Sequence, residues 1–191
     1  VGPDVWMNEE SNPDFIEDPT LYRAWKVQAA AEGLRVRIGR WNVPGRPTAI
    51  LVDFKQFLTR QNEILTEFWK RFRVDSLTGN WDYRESALFG YAAGRVIESF
   101  YQFNLDSSDK VVAQFHEWMT GTGLLYLKSA NVPVATVFTT HATVIGRCIA
   151  GNNLPLYDGI LGYDADEKAK EIRACASSLF VTAIRITRRT A

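Results

Sequence analysis

The sequence predicts an α/β fold, a parallel sheet flanked by helices. Three observations carry the prediction. Short apolar runs of β character alternate with stretches of helical periodicity. The links between them are short, as in layered α/β architectures. Two of the runs, Val111-Val112-Ala113 and Val134-Ala135-Thr136-Val137, each lead past a histidine into a stretch that reads as a helix. The only two histidines, His116 and His141, therefore fall at the carboxyl ends of two predicted strands. In open α/β sheets ligands bind on that side.

The elements follow in order. The first 18 residues are acidic and turn-rich and read as a surface loop that packs through Trp6 and Phe15. Asp18-Pro19-Thr20 reads as a helix start, with the helix running to Ala31 and stopping at Gly33. Leu34 to Ile38 alternates like a strand with one buried face. Gly45-Arg46-Pro47 marks a turn, and Ala49 to Val52 is a continuous apolar run, as for a strand covered on both faces. Between Asn62 and Arg73, Ile64, Leu65, Phe68, Trp69 and Phe72 form one helical stripe. The longest helix is expected over Arg84 to Phe103, where Leu88, Ala92, Val96, Phe100 and Phe103 recur every three or four positions. A strand over Lys110 to Phe115 leads to a helix from Glu117 to Ser129. Gly121 and Gly123 near its start each weaken it by about 1 kcal/mol and permit close approach of backbone or ligand. A strand over Pro133 to Phe138 leads to a helix from His141 to Ile149, stopped by Gly151-Asn152-Asn153. Right-handed crossovers are expected throughout.

Composition excludes several classes. Lys and Arg number 22 and Asp and Glu also 22, so there is no electrostatic case for nucleic acid or an anionic membrane. The basic knots at Arg71 and Arg73, and at Arg185, Arg188 and Arg189, read as solvated surface. Cys148 and Cys175 make no disulfide framework. They read as inert filler in a reducing, cytoplasmic setting. No apolar run reaches the roughly 18 residues of a membrane span, and Val1-Gly2-Pro3-Asp4 lacks the features of a signal peptide. His116, Glu117 and His141 match no zinc-ligand spacing, so no metal is expected. No GxSxG elbow supports a serine hydrolase.

Three residues remain as site candidates. His141 reads either as a packed or helix-capping histidine or as a group facing the crevice above the sheet. Glu117, in the first turn of its predicted helix, is explained equally by the helix dipole or by a hydrogen bond to a ligand. Arg147, six residues after His141, is about two helical turns on and expected on a similar face. It reads either as a solvated cation or as a bidentate donor to phosphate. His116 is expected to point into the sheet or to orient a neighbour, and Trp118 to belong to the core.

Three separated segments carry a family resemblance: Gln114-Phe115-His116-Glu117-Trp118 with Phe138 to Arg147 (FTTHATVIGR), Gly39 to Phe54 (GRWNVPGRPTAILVDF), and Trp81 to Gly94 (WDYRESALFGYAAG). Together they resemble the glycogen synthases, specifically the animal and fungal branch, from Val1 to about Lys170. The resemblance implies a Rossmann-like domain, the amino-terminal half of a retaining GT-B glycosyltransferase with two such domains. It implies transfer of glucose from UDP-glucose or ADP-glucose to the non-reducing end of an α-1,4-glucan. No cofactor is implied, because the sugar nucleotide is a substrate. An oligomeric full-length protein is compatible with it. By resemblance, His141 lies against the donor glucose, Arg147 contacts its phosphates, and Glu117 reaches a sugar hydroxyl without being the nucleophile. Residues 1–170 are expected to form the domain, and 171–191 a divergent tail that does not align with the family. In that tail Leu179 to Ile186 reads either as a strand or as disorder. The family's lysine–glycine-glycine loop and first strand would precede Val1, so residues 1–191 alone are expected not to transfer glucose. Two other readings stay open: another two-domain transferase such as a sucrose or trehalose phosphate synthase, and a non-catalytic glucan-binding module.

Overall fold

The computed structural model describes residues 1–5, 14–74, 77, 79, 81–141, 143–164 and 167–168. The tail from 171, Trp6, Cys175 and the side chain of Cys148 lie outside the described residues. The architecture is α/β and Rossmann-like, with helices packed on two small sheets.

The first sheet has the order β1 (Gly2–Pro3), β4 (Thr48–Val52), β3 (Val36–Trp41), β2 (Phe15–Glu17). β1 and β4 are parallel, whereas β2, β3 and β4 are antiparallel. The antiparallel ribbon goes beyond the expected parallel pairing, and chain length explains it. Only residues 42–47 join β3 to β4, and a parallel crossover needs about a dozen residues or more. Gly45, at φ 88°, and Arg46, at φ 39°, turn the chain there. The acidic start is a loop only in part. Phe15 is buried, as expected, but it sits in β2 opposite Trp41 of β3.

The first helix, α1 (Arg23–Ala31), starts later than Asp18. Asp18 Oδ1 instead accepts from the Thr20 amide at 2.9 Å and hydroxyl at 2.6 Å, which closes a turn before the helix. Its end is as expected: Gly33 at φ 78°, with the Leu34 amide donating to Ala29 at 2.8 Å. A 3₁₀ turn at Lys55–Arg60 leads into α2 (Gln61–Phe72), which buries Ile64, Leu65 and Phe68. Trp69, at the border of that stripe, is exposed.

Helix α3 (Trp81–Asn104) is the central element. Leu88, Ala92 and Val96 are fully buried, together with Trp25 of α1, Val52 of β4 and Leu65 of α2 in one continuous cluster. Trp25 Nε1 is satisfied inside it, donating to Ser99 Oγ at 3.1 Å. Helix α4 (Gly121–Ser129) lies against α3 along a seam of glycines. A Cβ on Gly123 would stand 2.5 Å from the Gly90 carbonyl oxygen, and one on Gly94 2.9 Å from the Gly123 carbonyl oxygen. The glycines at the start of α4 thus admit backbone. Thr122 locks the seam by donating to the Ala87 carbonyl at 2.7 Å.

The second sheet is the parallel pair β5 (Val112–His116) and β6 (Ala135–Thr139), joined through α4. Burial alternates along β5: Ala113 and Phe115 are buried, and Val112, Gln114 and His116 are exposed. After β6 come α5 (Val144–Gly151) and the short α6 (Leu156–Gly159). Among the described residues no helix is long and apolar enough to cross a membrane.

Candidate active site at the ends of β5 and β6

The parallel register places His116 opposite Thr139, so both strands end at one level. The chain leaves β5 through Glu117, whose φ of 63° and ψ of 166° lie in a region costly for any residue but glycine. Glu117 is therefore not in the first turn of a helix. It precedes a 3₁₀ turn, Trp118–Thr120, and α4 begins only at Gly121. Cβ sterics disfavour this backbone, so bonds around it must hold it. The Glu117 amide donates to the Thr139 carbonyl at 2.8 Å. The Thr120 hydroxyl donates to the carbonyls of His116 at 2.7 Å and Glu117 at 3.2 Å.

This backbone turns the Glu117 side chain toward β6. Its Oε1 accepts from the His141 backbone amide at 2.7 Å. His141 does not open a helix either: it occupies a bend before α5. The carboxylate thus caps a bend that has no helical partner of its own. His141 is exposed, and its ring meets that of His116. Nδ1 of His116 and Nε2 of His141 are 3.1 Å apart, and the ring planes differ by 7°. Gln114, two residues before His116 on the same face of β5, donates from Nε2 to Thr139 Oγ1 at 2.9 Å.

The structure brings His141 and Glu117 together on one edge, with His116 between sheet and ring. Arg147 shares no hydrogen bond or ion pair with that group among the described residues. The helical spacing that would align it with His141 does not apply, because α5 starts after His141. Arg147 is exposed in the first turn of α5, its amide bonded to the Thr143 carbonyl at 2.9 Å. Among the described residues its guanidinium makes no hydrogen bond or ion pair. Trp118 is half-buried against the core, as expected.

The sequence leaves His116 between two orientations and does not single out Gln114 or Thr139 as site residues, although both lie in the segments that carry the resemblance. The period-two alternation of Val112-Ala113-Gln114-Phe115-His116 contained the signal. It sets Gln114 and His116 on the face opposite buried Phe115. Among the described residues no three His, Cys, Asp or Glu side chains cluster as metal ligands. The rim offers imidazole, carboxylate, amide and hydroxyl groups at an open edge. That set suits hydrogen bonding to a polyhydroxylated ligand.

A family model described as glycogen synthase matches residues 5–177. The chain belongs to the glycogen synthase family. It is 32% identical over 175 residues to the liver glycogen [starch] synthase of Mus musculus, covering 90% of this chain and 24% of that protein. It is 33% identical over 139 residues to the glycogen [starch] synthase of Dictyostelium discoideum, covering 73% of this chain and 15% of that protein. With the enzyme of Caenorhabditis elegans the identity is 30% over 160 residues, or 84% of this chain and 24% of that protein. The chain thus spans less than a quarter of the length of these relatives.

Proposed function

We propose that this chain supplies one wall of the active site of a retaining glucosyltransferase. The enzyme moves glucose from a sugar nucleotide, UDP-glucose or ADP-glucose, to the non-reducing end of an α-1,4-glucan. The observation that carries the reading is the exposed His141, its backbone amide held by Glu117 at the carboxyl edge of a parallel strand pair, in a chain of this family. Residues 1–170 make up the transferase domain, and the setting is cytoplasmic.

In this reading the bond between the anomeric carbon and the departing phosphate oxygen breaks, and the glucose ring takes on oxocarbenium character. The acceptor hydroxyl oxygen then bonds to that carbon and its proton passes to the leaving group. The side chains of this wall hold the ring while charge develops. His141 bonds a hydroxyl of the donor glucose, and its fixed backbone means that little reorganisation is needed as the bond tightens. Glu117 keeps the His141 backbone in place and stands at the same edge for a sugar hydroxyl. Arg147, exposed in the first turn of α5 with no hydrogen bond or ion pair from its guanidinium among the described residues, pairs with the diphosphate.

The test is His141→Ala in the whole protein, assayed by transfer of labelled glucose to glycogen. Turnover falls by about a hundredfold, the scale of one positioned transition-state contact. Normal turnover in that variant removes His141 from the mechanism.

A further inference from the structure

We infer that His116 is a positioning residue for His141: the bond between His116 Nδ1 and His141 Nε2 fixes the plane and the tautomer with which His141 meets the sugar. This rests on the reading of His141 as the sugar-contacting group.

Both partners stand on fixed backbone. His116 is the last residue of β5, paired with Thr139, and its carbonyl takes the Thr120 hydroxyl at 2.7 Å. His141 has its amide tied to Glu117 at 2.7 Å. What remains free in each is rotation about its side-chain bonds, and the imidazole torsion is a broad one. A ring–ring bond of 3.1 Å between nearly parallel planes removes that freedom. The residues lie 25 positions apart, one ending β5 and the other in the bend after β6, so local chain geometry does not bring them together.

The proton count gives the contact a consequence beyond packing. In the neutral pair one proton lies between the facing nitrogens. If His116 carries it on Nδ1, then Nε2 of His141 accepts and the His141 proton sits on its Nδ1. That nitrogen is then a donor for a sugar hydroxyl oxygen. If His141 carries the proton on Nε2, its Nδ1 is an acceptor for a hydroxyl hydrogen. The tautomer of His116 thus sets the sense of the bond that His141 offers. Without a partner the His141 ring populates both tautomers and both ring orientations. The arrangement has the logic of the outer partner that fixes a metal-bound histidine, applied here to a sugar contact.

Two substitutions separate positioning from packing. His116→Phe keeps an aromatic ring and loses the nitrogen, whereas His116→Asn keeps an amide near the position of Nδ1. The chain has only two histidines, so nitrogen-15 spectra of the imidazoles resolve each ring directly. In the unsubstituted chain His141 shows one dominant tautomer. In His116→Phe it becomes a mixture, and in His116→Asn one tautomer dominates again. In the whole protein, with UDP-glucose and glycogen as substrates, His116→Phe lowers kcat about tenfold and leaves KM for the donor within about twofold. His116→Asn recovers most of the lost kcat. An unchanged His141 spectrum in His116→Phe overturns the inference, whatever His141→Ala does to turnover. Equal kcat losses in the Phe and Asn variants also overturn it, because packing alone would then explain them. Normal turnover in His141→Ala, with the tautomer response intact, fails the sugar-contact reading and leaves the His116–His141 coupling standing.

Discussion

Gly123 and Glu117 lie six positions apart and are built on opposite terms. Gly123 sits where two helices meet, with the Gly90 carbonyl oxygen 2.5 Å and the Phe115 ring 2.7 Å from where a Cβ would be. Glu117 is half-buried, on backbone that glycine would suit better, and carries a side chain all the same. The glycine is placed where space is lacking, and the glutamate where a carboxylate is needed. The seam sets the position of β5 through Phe115, and bonds from Thr139 and Thr120 hold the strained backbone at the rim above it. Strain of this kind persists only where the surroundings over-determine it.

The largest effect tests the seam. Gly123→Ala puts a methyl group against the Gly90 backbone oxygen and the Phe115 ring, so α3 and α4 must part. Overpacking of this kind costs about 1–3 kcal/mol, and the better helix propensity of alanine returns only part of it. Urea unfolding of the variant shows a lower midpoint at unchanged slope. A midpoint equal to that of the unsubstituted chain would mean that the seam is loose and does not set β5.

Tyr126 of α4 holds the same seam by a polar contact. Its hydroxyl donates to the Glu98 carboxylate of α3 in a short hydrogen bond. Burial first, and then the Glu98 carboxylate, push the phenol well above the usual tyrosine range. The folded state therefore keeps the proton longer than the unfolded state, in which tyrosine ionises near 10. Its contribution to stability is complete below about pH 10 and falls as pH rises above that value toward the folded one. Tyr126→Phe should cost about 1–2 kcal/mol at neutral pH, as expected for a hydrogen bond to a charged partner. The variant should also lose less stability than the parent between about pH 10 and 11. Parallel pH–stability curves for the two proteins would rule out the Glu98 bond as a source of the seam's strength.

The seam was far more legible in the sequence than the rim. Leu88, Ala92 and Val96 announce α3 by spacing alone, and Ile64, Leu65 and Phe68 do the same for α2, because burial of a stripe is a local property. The parallel strands and the two histidines at their ends could also be read from apolar runs. The details that make the rim were out of reach. Glu117 and His141 both read as first residues of helices, since nothing in an acidic or aromatic residue signals a positive φ or a bend. The His116–His141 contact depends on the register between β5 and β6, which no local pattern encodes. The β3–β4 hairpin is implied by its link, since residues 42–47 are too few for a parallel crossover.

The smallest effect isolates the strain at Glu117. Replacing it by Ala or by Gly removes the carboxylate and its bond to the His141 amide in both cases. Only Ala keeps a Cβ on a backbone at φ 63° and ψ 166°. Such a conformation costs a residue with a side chain about 1–3 kcal/mol, while glycine gives back about 0.4–1 kcal/mol through its freer unfolded chain. Glu117→Gly should therefore be the more stable of the two by about 1 kcal/mol in urea unfolding. Both should lose turnover in the whole protein, because each leaves the His141 backbone without its cap. Equal stability of the two variants would show that the chain relaxes here without cost, and the rim would then be no more strained than the seam.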